Sequence, residues 1–378
     1  MANVLTAYTP TIIGRTLRIL REHLRIQRFV TRDYDSEMLN IGASLQIPVT
    51  AQLAASDIVP SSTQPPLVSI TPSNVTLTLN QFKEARFSLT VADANTMMRN
   101  SDFVPTEMME AARTIARAII DYLWTITTQC PYYVGTAGTT PFATTLAALA
   151  SAAYSLDTTL ADTDGRVALF DNTAIQALRN LGNMIQYLQR GPSVDTLSTG
   201  VIGEVLGFQV ERDSRVPSFT AGTAASYTFP VTPPAAGITS VAIITGTGTW
   251  AAGDIFTIAG DTTSTYVATN AGSAAGTLTF YPPLNNVPGA SAAITFKATR
   301  RNNFAMDRGF MALAMRQPRE IPGMLNTVTP MIDNQGPEAT NMQFFMNEMP
   351  NAWGVTYSIG ALYGASMLRP ERGVIIAG

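Results

Sequence analysis

The sequence predicts an α+β protein that is interrupted late in the chain by a small all-β domain. Segments with helical periodicity alternate with short extended segments through most of the chain, whereas one later block contains only strand and turn patterns. In that block, from Pro217 to Phe296, the only charged side chains are Asp254 and Asp261. The 378 residues, 46% of them hydrophobic, are enough to form more than one buried core.

The beginning of the chain is basic and the rest is acidic. Residues 1–32 hold six arginines and one acidic residue, a charge of +5, so the net charge of −3 leaves −8 for residues 33–378. The arginines are Arg15, Arg18, Arg21, Arg25, Arg28 and Arg32. Their spacing, shared by the leucines around them, predicts an amphipathic helix over residues 11–29. Because six arginines with one acid repel one another, an anionic partner is as good an interpretation as an ordinary solvated face.

Residues 41–91 predict extended structure. Short segments broken by prolines lead into the longer alternating run VTLTLNQFKEARFSLTV. This stretch has too few apolar residues to form its own core, so something else must support it.

The most regular helix is predicted over residues 102–129. Met108, Ile115, Ile119 and Leu123 share one of its faces. At roughly 1.5 Å per residue such a helix would be about 40 Å long. Helices and short strands then mix through residues 141–216, and this mixture is typical of an α+β domain.

The nearly uncharged block contains six short strand patterns. Glycine and proline turns separate them about every eight to twelve residues, a spacing typical of a small β-sandwich or barrel. The block begins near Ser218 and ends near Lys297, where the α+β pattern stops and resumes, so we interpret it as an insertion whose flanking halves pair in space. Its aromatic residues are expected to form its core: Tyr227, Trp250, Tyr266, Phe280 and Tyr281.

The residue inventory argues against catalysis. His23 is the only histidine and Cys130 the only cysteine, so no zinc cluster or intramolecular disulfide can be built. A general base that uses His23 would have no thiol near it in the sequence, and no second histidine exists to pair with Cys130. No phosphate-binding loop is present, and DTDGR at residues 162–166 is expected to be a turn rather than a calcium loop. No run approaches 18 apolar residues. We therefore expect no enzyme activity, no cofactor, no metal and no membrane segment, and a reducing cytoplasm as the place of synthesis.

Three stretches resemble the major capsid (coat) protein of tailed double-stranded DNA bacteriophages, which has the HK97-type fold. GRVALFDNTAIQAL is similar to a strand and helix of that family's axial domain, GVIGEVLGFQVERDSRVP to its glycine-rich segment, and YGASMLRPERGVII to its final strand. The order of segments along nearly the whole chain is similar as well. A β-domain that starts after Val216 and Pro217 resembles the P22-like branch, whose members carry an immunoglobulin- or telokin-like insertion at that point.

The resemblance implies a division into the parts of that fold. They are an N-terminal arm at 1–44, an extended loop (E-loop) at 45–92 that reaches over a neighbouring subunit, a peripheral domain at 93–140 with its spine helix at 102–129, an axial domain at 141–216, and an inserted β-domain at 217–299. Residues 300–378 would complete the peripheral and axial domains.

The implied function is structural. Copies of the chain would assemble into the hexamers and pentamers of an icosahedral phage head, in the cytoplasm of the host bacterium, and remain in the virion around double-stranded DNA. The implied partners are further copies of the chain, a scaffolding protein, a portal protein, DNA contacted without sequence preference, and decoration proteins where a particle carries them. We hypothesise that the six arginines of residues 1–32 face the DNA or an acidic scaffolding protein.

The predicted E-loop also carries charged residues that could contact a neighbour: Lys83, Glu84 and Arg86. Some phages of this fold join subunits through a bond between lysine and asparagine, and Lys83 is one of only two lysines in this chain. We expect it instead to form an ordinary surface charge pair with Glu84.

Two alternatives remain open from the sequence. An encapsulin-type nanocompartment shell has the same fold but encloses an enzyme, and the β insertion and the arginines argue against it. A receptor- or glycan-binding tail or fibre protein would use the β block as its functional part, but the aromatic residues of that block are spaced like a core rather than clustered like a binding face.

Overall fold

The computed structural model describes residues 26–34, 42–49, 73–90, 103–181, 202–274, 276–316, 327–333, 340–349 and 353–378. The chain forms two compact units. The first consists of Met1–Glu22, Thr31–Ala116 and Met311–Leu368, and the second of His23–Val30, Arg117–Phe310 and Arg369–Gly378.

The described residues contain three α-helices and 23 strands. The helices are α1 (Phe103–Thr127), α2 (Ala147–Thr158) and α3 (Asn172–Asn180). The strands of the first unit are β1 (Ser44–Val49), β2 (Ser73–Thr78), β3 (Gln81–Thr90), β19 (Met311–Arg316), β20 (Thr327–Asp333), β21 (Thr340–Met349) and β22 (Gly354–Met367). The α+β strands of the second unit are β4 (Tyr133–Gly135), β5 (Val167–Phe170), β6 (Glu204–Val205), β7 (Phe208–Arg212), β8 (Ser218–Phe219), β18 (Arg300–Met306) and β23 (Gly373–Ala377). The strands of the neutral block are β9 (Ala225–Thr228), β10 (Ser240–Ala242), β11 (Thr245–Thr247), β12 (Thr249–Trp250), β13 (Ile255–Ile258), β14 (Asp261–Ala268), β15 (Gly272–Ser273), β16 (Thr277–Tyr281) and β17 (Ala293–Phe296).

The first unit is built around the 14-residue strand β22. Strands β21 and β3 pair with it antiparallel on its two edges, β19 pairs with its C-terminal half, and β20 extends the sheet beyond β21. Strands β1 and β2 form a separate antiparallel pair. One long strand therefore fixes the position of most of this sheet.

The pair β1–β2 is supported by its own chain. Its buried residues Ile47, Leu77 and Leu79 belong to one apolar cluster with Ala312, Ala314 and Leu362, which lie on β19 and β22. Close approach is possible because Gly364 has no side chain, and a Cβ at that position would overlap the carbonyl oxygen of Thr78. The support that the segment was expected to need thus comes, for these two strands, from β19 and β22 of the same chain, which cover their apolar side.

The second unit contains a mixed sheet in the order β4-β23-β18-β5-β7-β6. Helices α2 and α3 contribute buried residues to the same cluster as β5, β7, β18 and β23. Asp171 begins α3, because its side chain accepts a hydrogen bond from the backbone N–H of Ala174, as an N-cap residue does. Strand β18, which follows the neutral block, pairs with β5, which precedes it, so the predicted pairing of the two flanking halves is confirmed.

The neutral block forms a seven-stranded antiparallel sheet in the order β10-β16-β14-β13-β17-β9-β11, with β12 and β15 as a separate pair. Its core cluster contains only residues between Tyr227 and Ile294. Four of the five predicted core aromatics are in it, whereas Tyr281 is only partly buried. The chain enters and leaves through β8 and β18, which pair directly through Phe219 and Arg300.

Most predicted elements are present with shifted ends. The long helix spans 103–127 instead of 102–129, and α3 ends at Asn180, ahead of residues 182–201, which lie outside the described part of the chain. The predicted N-terminal helix at 11–29 also lies mostly outside it, and its last four residues, Ile26–Phe29, form a 3-10 turn. Strands β4, β8, β11, β12, β15, β18, β20 and β21 were not predicted.

Candidate functional site

The predicted arginine face is described at two positions only. Arg15, Arg18, Arg21 and Arg25 lie outside the described residues. Arg28 is partly buried and the side chain of Arg32 is 9% exposed.

Arg32 is buried because the chain beside it is bound to a strand. The backbone N–H of Thr31 donates to the carbonyl of Met311 at 3.1 Å, and the N–H of Leu313 donates back to Thr31 at 2.9 Å. This pairing holds the segment against β19. Arg32 is therefore a poor candidate for contact with DNA or a scaffolding protein, which need an accessible guanidinium.

The predicted E-loop charges lie on strand β3, where neighbouring side chains point to opposite faces. Glu84 and Arg86 share a face and form an exposed ion pair of 3.5 Å between Oε1 and Nη1. Lys83 is exposed on the other face. The expected Lys83–Glu84 pair is therefore wrong, because the period of two in a strand brings residues 84 and 86 together instead.

Cys130 is the one cysteine of the chain, and it is fully buried. Its Sγ lies 3.2 Å from the carbonyl oxygen of Gly373, to which the thiol donates. Burial raises the pKa of Cys130 to about 12. A thiol held in its protonated form is not a nucleophile, so this residue packs rather than reacts.

The segment DTDGR is a turn, as predicted, and its first carboxylate is used in an ion-pair network. Arg372 Nη1 contacts Asp162 Oδ2 at 2.8 Å and Asp307 Oδ2 at 2.6 Å. These contacts tie the turn to the segments around β18 and β23. Among the described residues, no group of three or more His, Cys, Asp or Glu side chains could hold a metal ion.

The most elaborate polar arrangement lies where the β block joins the rest of the second unit. Arg300, 1% exposed, donates from Nη2 to the carbonyl oxygen of Gly253 at 3.1 Å. Its guanidinium lies 4.5 Å from the ring centre of Phe219 and 5.8 Å from that of Tyr133. Burial lowers the pKa of Arg300 to about 10, partly opposed by the charge of Asp254. A buried cation between two rings therefore anchors the base of the block.

Asp254 completes this junction. Its carboxylate accepts hydrogen bonds from the backbone N–H of Ala251 at 2.7 Å and of Gly222 at 3.1 Å. Burial raises the pKa of Asp254, and these two hydrogen bonds and Arg300 oppose the shift. The carboxylate thus fixes two loops at the base of the block.

Asp261, the other charged residue of the block, is also buried and accepts a hydrogen bond from the hydroxyl of Tyr266 at 2.8 Å. Sequence reasoning assigned no role to Arg300 or to either aspartate. The sequence did contain a signal for the two aspartates, because they are the only charged residues in an otherwise neutral block. Such an isolated charge is expected to have a specific partner.

A shallow groove of about 420 Å³ runs beside the C-terminal half of α1. Its lining includes Trp124, whose Nε1 donates to Asp213 at 3.1 Å, and the ion pair between Asp121 and Arg215. Its charged groups are already paired. The groove could accept an apolar side chain but offers no reactive group.

None of the helices in the described part of the chain is both long and apolar enough to cross a membrane. Comparison with protein-family models and with curated proteins gives no match.

Comparison with solved structures gives the fold. A structure of Mycobacterium phage Che8 matches with a TM-score of 0.50 and 13% sequence identity, over 92% of this chain and 88% of that chain. The capsid structure of the cyanophage P-SCSP1u matches with a TM-score of 0.50 and 13% identity, over 90% of this chain and 84% of that chain. This chain therefore has the α+β fold of HK97-type capsid proteins over most of its length.

We expect Asp254→Ala to destabilise the subunit by about 3 kcal/mol, because two backbone N–H groups lose their acceptor and the buried guanidinium of Arg300 loses a nearby opposite charge. Asp254→Asn should cost less, since the amide keeps one acceptor and removes a charge that burial disfavours. The urea midpoint of each variant measures the difference, and Glu204→Gln, an exposed acid, serves as the control. Equal midpoints for the alanine and control variants would contradict the anchoring role.

The Cys130 thiol should resist alkylation in the folded protein at pH 8 and react fully in denaturant. Its pKa of about 12 in the folded protein lies above the ordinary thiol value of 9.0, so its contribution to stability is complete below about pH 9 and is lost as the pH rises toward 12. Unfolding midpoints between pH 8 and 11 would show this loss in the wild type and a shallower slope in Cys130→Ala. Rapid alkylation of the folded protein would show that the thiol is accessible.

Proposed function

We propose that this chain is the major coat protein of a tailed-phage type particle, and that it assembles into the hexamers and pentamers of an icosahedral head around double-stranded DNA. The observation that carries the proposal is the likeness of fold over about nine tenths of the chain to phage structures, one of which is a capsid. A structural role also fits the use of charged groups, since Asp254, Arg300 and Arg372 are engaged in internal contacts. The virion is then its location, and the host cytoplasm the place of assembly.

The segment 217–299 is proposed to be an inserted β-domain of the P22-like branch. Its independent aromatic core and its entry and exit through the paired strands β8 and β18 support an insertion. Seven of its nine strands follow one continuous hydrogen-bonded path, whereas an immunoglobulin domain has two facing sheets. A single hydrogen-bonded sheet therefore describes the insertion better than an immunoglobulin sandwich does.

The remaining domain assignments follow from the same proposal. Residues 1–44 form the arm, 45–92 the E-loop, 93–140 the peripheral domain with helix α1 as its spine, and 141–216 the axial domain, with 300–378 divided between the last two. Strands β19–β22 form the sheet that we assign to the peripheral domain, and β3, at the end of the proposed E-loop, pairs with β22 along its whole length. Strands β5, β18 and β23 support the axial assignment.

The proposed partners are scaffolding and portal proteins, DNA, and decoration proteins where the particle carries them. The basic charge of residues 1–32 supports an anionic partner on the inner face. Arg15, Arg18, Arg21, Arg25 and Arg28 remain candidates for that contact, and Arg32 is the weakest because of its burial.

An encapsulin-type shell is the second candidate, because that class has the same fold. A receptor-binding tail or fibre protein is disfavoured, since Tyr227, Trp250, Tyr266 and Phe280 are buried in the block rather than displayed on it.

The test of the proposed function is electron microscopy of the chain expressed with and without the other structural proteins of its source. We expect closed icosahedral shells made of hexamers and pentamers. Co-purified DNA in complete particles would support a phage head, whereas an enzyme enclosed in DNA-free shells would support the encapsulin alternative. A soluble monomer or trimer under every condition would contradict both.

The arginine proposal is tested separately with Arg15, Arg18, Arg25 and Arg28 all changed to Gln. Removing four positive charges should reduce scaffold-dependent assembly or DNA packaging by at least tenfold and weaken its dependence on salt. The matched control changes Arg179 and Arg212 to Gln, outside residues 1–32. Normal assembly and packaging by the fourfold variant would overturn the proposal while leaving the shell function intact.

A further inference from the structure

Strand β3 has a long regular edge. All ten of its residues, from Gln81 to Thr90, are in continuous antiparallel register with β22, without a bulge. Within the described part of the chain, no other strand pairs with β3. In the middle of β3, around Ala85, alternate residues therefore direct their backbone N–H and C=O groups toward an edge beside which the described part of the chain places no strand.

Such an edge is a template for another strand, and proteins either protect it or use it. Bulges and prolines, two common means of protection, are absent from β3. Its charged side chains are Lys83, Glu84 and Arg86. Because Glu84 is negative whereas Lys83 and Arg86 are positive, the charges on the residues directly opposite decide whether a second strand is repelled or attracted.

The two faces of β3 also differ in exposure. Phe82, Glu84, Arg86 and Ser88 are all exposed, and Phe82 is 50% exposed. On the opposite face, Phe87 stacks against Tyr357 at 5.3 Å between ring centres. The even-numbered residues therefore form the more exposed face of this strand, whereas on the opposite face Lys83 is exposed and Ala85, Phe87 and Leu89 are partly buried.

A second copy of β3 can pair with this edge around a twofold axis normal to the sheet. The axis keeps the more exposed faces of both copies on the same side, so an even-numbered residue of one copy meets an even-numbered residue of the other. With the axis at Ala85, each Glu84 lies opposite an Arg86 of the other copy. Moving the axis by one residue places Glu84 opposite Glu84 or Arg86 opposite Arg86, and directly opposed like charges destabilise a strand pair.

We infer that two copies of this chain associate through antiparallel β3–β3 pairing centred on Ala85. Backbone hydrogen bonds supply the attraction, and the two Glu84–Arg86 contacts select the register, since exposed ion pairs add little energy of their own. The inference rests on the proposed function, because a closed shell brings copies of one chain together across twofold axes.

The first test is cross-linking of Ala85→Cys in assembled particles. Residues directly opposite in an antiparallel pair have Cβ atoms about 5 Å apart, within reach of a short bifunctional maleimide. The native Cys130 does not compete because it is buried. Ser88→Cys is the matched control: in the proposed register its two copies lie about 20 Å apart along the strands. We expect most of the Ala85→Cys protein to run as a dimer on a denaturing gel and the control to stay monomeric.

The second test separates contact between copies from the ion pair within one copy. Glu84→Arg alone and Arg86→Glu alone should each weaken dimer formation about tenfold, since every contact becomes repulsive. Co-expression of the two single variants should restore it. In the mixed dimer opposite charges again face each other, although each chain still lacks its own pair.

The outcomes separate this inference from the proposed function. Shells in which Ala85→Cys stays monomeric, or in which the control cross-links equally well, would overturn the β3–β3 pairing and leave the coat function standing. Cross-linked dimers without any shells would support the pairing and count against the coat function. Failure of the mixed variants to restore the dimer would exclude the register centred on Ala85.

Discussion

Strand β18 pairs both within the mixed sheet of the second unit and at the base of the inserted block, and the arrangement of the second unit depends on this double pairing. Its later residues pair with β5 and β23 in the middle of the mixed sheet, whereas Arg300 and Arg301 pair with β8 at the base of the inserted block. Because one strand takes part in both pairings, the position of the sheet fixes the position of the base of the block. Arg300 lies at this transition, buried between Phe219 and Tyr133, where its loss of hydration is offset by ring contacts and by Asp254.

The block beyond this anchor shows how an almost uncharged sequence can still specify one fold. Aromatic rings supply the core, with Tyr266 and Phe280 packed edge to face at 5.6 Å. On the outside, threonine hydroxyls pair across strands, as between Thr269 and Thr279. Its two charges are buried where they accept hydrogen bonds from fixed donors. Charge is therefore used for positioning in this block, and solubility depends on hydroxyl and backbone groups.

The sequence predicted those elements whose structure is determined by their own residues rather than by a neighbouring strand. Strand β13 could be predicted from alternation between two glycines, and α1 from its apolar stripe. Strands β11, β12 and β15 could not, because two or three Thr, Gly or Ser residues become a strand only when a partner lies beside them. The same limit applies to the site. Asp254 and Asp261 were visible as isolated charges, but Asp254 interacts with Gly222 and Arg300, which no local pattern connects with it. Arg32 looked like one member of an exposed series until the pairing of Thr31 with β19 buried it.

The surface of the neutral block and the edge of strand β3 differ in how charge would act between copies of the subunit. The neutral block carries no charge outside its buried aspartates, so neighbouring copies of it cannot repel one another by charge, but they also gain no register from charge. Strand β3 has the opposite character, since its charges favour the register centred on Ala85 and oppose the two registers next to it. If the chain forms a shell, the choice of geometry must then come from surfaces like β3, where a shift of one residue reverses the sign of the interaction. The neutral block can tolerate variable distances between copies, because no charge on its surface penalises a shift.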